Sequence, residues 1–169
     1  MDILTNFNYQ SDQDFFESNP QLEITFGEIK DLYPDSYTKV MWAIALDAHP
    51  KSIYRNVSTQ ERRGLIEKEY LNESIKWKEL ESYIETFNKL VLTQKERFLV
   101  EWEKKLEERQ QFIAAIPYNE ETYEILDKMM ASTEKMWKQY LICLKDVSDE
   151  AKEQTQGNFV ESASESGQI

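Results

Sequence analysis

Residues 38–66 read "TKVMWAIALDAHPKSIYRNVSTQERRGLI". An unbroken apolar run, Val40 to Leu46, meets Asp47, then the chain's single histidine, then Pro50 and a basic segment with paired arginines. Asp35 or Ser36 can cap a helix at its start. Pro50 must end it, because the residue before a proline is pushed out of the α region. Apolar side chains nearly surround that helix, so the spacing predicts a buried central helix. "KSIYRNV" then reads as a short connection, and Ser58 with Glu61 matches a capping box that opens a helix through Leu71. Upstream, Gly27–Leu32 reads as a short helix stopped by Pro34.

Working outward, residues 74–116 contain no Pro or Gly. Leu80, Ile84, Phe87, Val91, Phe98, Trp102, Leu106, Ile113 and Ile116 fall mostly three, four or seven apart, as on one stripe of a long helix. Gln94 and Lys95, within "LTQKER" (92–97), interrupt the stripe and mark a place for a kink or break. Pro117 and Asn119 signal a turn. From about Glu120 to Val147, Tyr123, Leu126, Met130, Thr133, Trp137, Tyr140, Leu144 and Val147 alternate three and four apart. Met129, Met136 and Cys143, seven apart, broaden that face. Two stripes joined by a short turn predict an all-α fold: a helical bundle built on a long antiparallel helical hairpin.

Composition agrees with long helices: four Gly and four Pro in 169 residues, 31% charged and 40% hydrophobic. The one cysteine, Cys143, excludes an intrachain disulfide framework and reads as a small buried hydrophobe. The first residues, "MDILTNFNYQ", are acidic and lack the apolar core of a signal peptide. No apolar run nears the roughly 20 residues that span a bilayer, so no membrane partner is expected. The net charge of −12 argues against general nucleic-acid binding and leaves at most passive contact with DNA. The charge is uneven: residues 1–20 and 148–169 each carry −4. Three segments are therefore expected: an acidic aromatic N-terminal arm (1–20), a helical domain (21–147) and an acidic polar C-terminal arm (148–169). Extended arms of this kind read as clasps on neighbouring copies, with Phe7, Tyr9, Phe15 and Phe16 as anchors.

No catalytic, cofactor or metal site emerges. His49, at a helix end, reads as a cap on terminal carbonyls, and a general base would need positioned partners that are not evident nearby. One His and one Cys about ninety residues apart lack zinc-ligand spacing. Glu81–Glu85 and Glu103–Glu107 are interleaved with Lys and Arg, as on a solvated helix face. No glycine-rich phosphate loop is present. The densest basic cluster, Lys51, Arg55, Arg62 and Arg63, has three readings. One is a solvated helix start paired with Glu61, Glu67 and Glu69. Another, with Tyr54, is a protein-docking patch for acidic surfaces. The third and weakest is nucleic-acid contact.

"YPDSYTKVMWAIALDAHPKSIYRNVSTQERRGLIEKEYL" (33–71) resembles a segment of virion proteins of tailed bacteriophages, the crAss-like phages in particular. The shared pattern is the "WAIAL" helix, an acid and a proline, the "S-x-Y-R-N" connection and the "ER-x-x-LI" helix, about a quarter of the chain. The resemblance implies a structural protein of the particle, assembled in the host cytoplasm: a head-to-tail connector or adaptor, forming a twelvefold homo-oligomeric ring on the portal and contacting tail proteins. The rival expectation is a helical regulatory module without catalytic activity that binds one partner.

Overall fold

In the computed structural model, every regular element among the described residues is helical. Those residues are Leu4 and 7–165, with side chains through Asp149. The chain divides at Val100/Glu101 into two compact units.

The first unit opens with three short helices, α1 (Phe15–Ser18), α2 (Pro20–Phe26) and α3 (Glu28–Leu32). Asp14 caps α1, its carboxylate accepting from the Phe16 and Glu17 N–H groups. Pro20 starts α2, where its missing N–H costs nothing. Helix α4 (Tyr37–Ala48) is buried along Val40–Ala48, the central helix expected from its apolar circumference. In α5 (Thr59–Leu65), Ser58 Oγ accepts from the Glu61 N–H, as the capping box requires. The helix widens into a π-helical turn, Ile66–Leu71, and ends at Asn72 in the left-handed conformation. Glu67 on that turn ties back the segment that follows, accepting from the Ile75 N–H and the Trp77 indole N–H. Helix α6 (Trp77–Leu90) lays Leu80, Ile84 and Phe87 against the core.

The long stripe of 74–116 is two helices. After Val91–Thr93, α7 (Gln94–Ala114) begins anew. The cause is a second capping box: Thr93 Oγ1 accepts from the Glu96 N–H at 3.3 Å, and Glu96 Oε2 accepts from the Thr93 N–H at 2.8 Å. Gln94 and Lys95 are thus the first turn of a new helix.

The expected N-terminal arm is corrected by burial. Phe15 and Phe16 belong to the core of their own chain, with Phe7 and Tyr9 packed against it. Phe15 meets Trp42 edge-to-face at 5.0 Å, and Phe16 stacks on Tyr37. Each such ring removes about 1.5–3 kcal/mol of apolar exposure, which outweighs leaving the segment extended. Asp14 latches it down, bonding the Tyr37 hydroxyl, while the Phe15 N–H donates to Thr38 Oγ1. Burial pushes the Asp14 carboxyl up, but Tyr37 and the Glu17 and Phe16 N–H groups outweigh this and hold it below its usual value.

In the second unit, Asn119 makes the turn, its Oδ1 accepting from the Glu121 and Thr122 N–H groups. Helix α8 spans Tyr123–Glu165, on the order of 60 Å at 1.5 Å per residue. It does not stop at Val147. Residues 148–165 are polar, but Ala, Glu, Gln and Lys make up half of them and no proline interrupts, and such residues propagate a helix already nucleated. Part of the expected C-terminal arm is therefore helix; residues 166–169, like 1–3, 5 and 6 of the N-terminal arm, lie outside the described residues. Helices α7 and α8 touch through Glu103–Tyr140, Trp102–Tyr140 and Arg109–Thr133.

Replacing Thr93 by Ala removes one half of the box that starts α7. We expect a loss of about 1 kcal/mol in urea unfolding, with Thr93→Ser close to wild type.

Candidate functional site

The arginines of the basic cluster converge on one carboxylate. Asp47, in the last turn of α4, is 3% exposed. Its Oδ1 accepts from Arg62 Nε at 3.2 Å. Its Oδ2 accepts from Arg63 Nε at 3.1 Å and Nη2 at 3.0 Å. Arg63 also reaches Glu81 at 2.6 Å and lies over the Trp77 ring. Arg55 is buried and donates from Nη1 to the Asp47 and Ala48 carbonyls, closing the C-terminus of α4 as a cation should. The counterions are therefore Asp47 and Glu81 rather than Glu61, Glu67 or Glu69. Arg55 and Arg62 are too buried to dock a partner. Lys51 and Tyr54 stay partly accessible. Burial, with a hydrogen bond to Glu69, pushes the Tyr54 phenol up to about 12.

His49 does not cap carbonyls either; Arg55 has that role. The His49 ring is buried, lies 5.1 Å from the Phe7 ring, and accepts at Nδ1 from the Lys51 N–H. Burial first, then Lys51 and Arg55, push its pKa down to about 3. The imidazole is neutral at pH 7, so the 3.8 Å approach of Nε2 to Glu96 is a dipole–charge contact and not an ion pair.

Of the docking residues expected from sequence, Phe15 and Phe16 are core, and Phe7 and Tyr9 are half-buried beside it. Large apolar side chains are exposed in both units, Ile24, Ile53 and Phe98 in the first among them, and the second unit adds a cleft. Phe112, Tyr118, Ile125 and Ile142 are each more than 60% exposed, and Met130 is 56% exposed. An open apolar cleft of about 580 Å³ runs beside Ile113, Ile116, Tyr118, Leu126, Met130 and Trp137. The buried Trp137 indole N–H has no acceptor among the described residues. Cys143, expected as a buried hydrophobe, is half-buried. A sequence signal for this surface existed: the α8 stripe, broadened by Met129, Met136 and Cys143, is wider than one helical neighbour covers.

Among the described residues, no group of three His, Cys, Asp or Glu side chains is placed to hold a metal ion, and no helix is long and apolar enough to cross a membrane. No protein-family model matches the chain, and no curated protein and no solved structure matches it.

Two outcomes follow from the buried charges. Asp47→Ala strands two buried or half-buried guanidinium groups, and we expect a loss of about 3–5 kcal/mol in urea unfolding. For His49, the unfolded ring protonates below its ordinary 6.5 while the folded ring stays neutral to about 3. The unfolded state then binds more protons, so stability falls as pH drops through that window. From pH 7 to 5 this amounts to about 2 kcal/mol, and His49→Gln should remove that part of the slope.

Proposed function

We propose that this chain is a non-enzymatic structural protein that acts by holding other protein chains: a head-to-tail connector subunit of a tailed-phage particle, as the resemblance over residues 33–71 implies. The observation that carries the reading is the apolar surface of the second unit. Side chains as large as Phe112, Tyr118, Ile125 and Ile142 stand mostly in water there, with an open apolar cleft lined by Tyr118 and Met130, and exposed apolar surface of this kind marks protein contact sites. In this reading α7 and α8 form an antiparallel hairpin. Its supports are the pairs Glu103–Tyr140 and Arg109–Thr133, in which the numbers rise on one helix as they fall on the other. The hairpin is a stiff strut that presents its outer faces to neighbours, with portal and tail proteins as partners and a ring of copies as the assembled form. Passing DNA is met by a chain of net charge −12, which does not hold it.

Mass spectrometry of purified particles, with capture of portal protein by the purified chain, tests this. The chain should be present in a fixed number of copies per particle, twelve for a ring matched to the portal. Replacing Ile125 and Ile142 together by Glu should reduce capture at least tenfold without changing helicity or melting temperature. A chain missing from particles that also ignores portal overturns the assignment.

A further inference from the structure

We propose that two copies of this chain pack α8 against α8 about a two-fold axis, through the flank that carries Tyr123, Asp127, Met130, Lys138 and Leu141. This goes beyond the connector reading: it names a second copy as the occupant of one face and makes no use of portal or tail.

At 100° per residue those five positions fall within a sector of about 80° on the helix. The sector borders the buried seam of Leu126, Thr133, Tyr140 and Leu144 on one side. All five are exposed. Tyr123, Met130 and Leu141 are its apolar members, Glu134 and Lys145 share the sector with Asp127 and Lys138, and the cleft beside Tyr118 and Trp137 continues it.

Charge decides the occupant. Residues 120–127 hold Glu120, Glu121, Glu124 and Asp127 and no base, a charge of −4. Residues 128–145 hold Lys128, Lys135, Lys138 and Lys145 against Glu134, a charge of +3. A parallel pair of such helices puts acid against acid and lysine against lysine. An antiparallel pair puts the acidic start of each helix beside the basic middle of the other. With the axis near residues 132–133, Asp127 faces Lys138 of the second copy, and Tyr123 faces Leu141. The symmetry makes each contact twice, as an isologous interface must. Lys138 is already held toward Glu134 of its own helix at 2.7 Å, which leaves it on this flank.

Exposed area adds to this. Tyr118, Tyr123, Met130 and Leu141 each expose on the order of 100 Å², and the stems of Lys138 and Lys145 add apolar area. Together they supply about half of the roughly 800 Å² per partner of a standard interface, and the facing acidic and basic groups supply polar area besides.

Sedimentation velocity on the full chain between about 5 and 200 µM tests the pair. The wild type should form a species of twice the 20.1 kDa chain mass. Asp127→Lys and Lys138→Asp should each weaken self-association roughly tenfold or more. An equimolar mixture of the two variants should recover it, because both cross pairs are then opposite in sign. Both residues are exposed, and unchanged far-UV circular dichroism confirms folding; Met130→Glu supplies a third variant with the same expected loss. A wild type monomeric throughout, single variants without effect, or a mixture that stays dissociated each overturns the proposal. Ile125 and Ile142 lie outside the flank. A wild-type chain that pairs but captures no portal therefore counts against the connector reading alone, and one that captures portal but stays monomeric counts against the pair alone.

Discussion

A single buried carboxylate organises the first unit. Asp47 sits at the end of the apolar run Val40–Leu46, in a place where an unpaired charge would cost several kcal/mol. It is tolerated because Arg62 and Arg63 arrive from the next helix with their guanidinium planes turned to its two oxygens. Arg55 closes the helix end from the connection between them. These bonds fix where the chain goes after Pro50. The connection folds under the end of α4, α5 is drawn alongside, and Glu81 on α6 is joined through Arg63. Desolvating ions gives little net stability, but it allows few alternative arrangements of the same helices, since any other leaves a charge without its partner.

Around that frame the aromatic residues of the first unit turn inward. Phe15, Phe16, Phe26 and Phe87 are fully or almost fully buried, and Trp42 receives both Phe7 and Phe15 at its edges. The second unit is built on another principle. Leu106, Leu126, Tyr140, Leu144 and Val147 are buried, while comparably large side chains stand in water. A pair of helices has one seam, and apolar faces broader than that seam remain uncovered. Large apolar side chains stay exposed on both units, Ile24, Ile53 and Phe98 on the first and Phe112, Tyr118 and Ile142 on the second.

Much of the helical order was legible because it depends on neighbours in sequence. Ser58 with Glu61 opened α5 as read, Pro50 ended α4, and the apolar circumference of Val40–Leu46 matched its burial. The break at Val91–Thr93 was equally local: Thr93 and Glu96 spell the same capping box, but a stripe continuous in period masked it. The polarity of residues 148–165 does not stop α8, because helix propensity sets the stop and polarity sets only which side faces water.

Less legible were pairings between distant positions. Nothing in the order of residues says that Arg62 and Arg63 take Asp47 in preference to the nearer Glu61 or Glu67, or that Phe15 enters a cavity beside Trp42 instead of a neighbour's surface. An exposed cluster and a buried network have the same composition; burial separates them, and burial is a property of the packed chain. Helix content, caps and the central helix were settled by interactions within a few residues, whose geometry the backbone repeats everywhere. The fate of each charge and each aromatic ring was settled by which surfaces met, because desolvation acts through the whole surroundings of a group and not through its place in the chain.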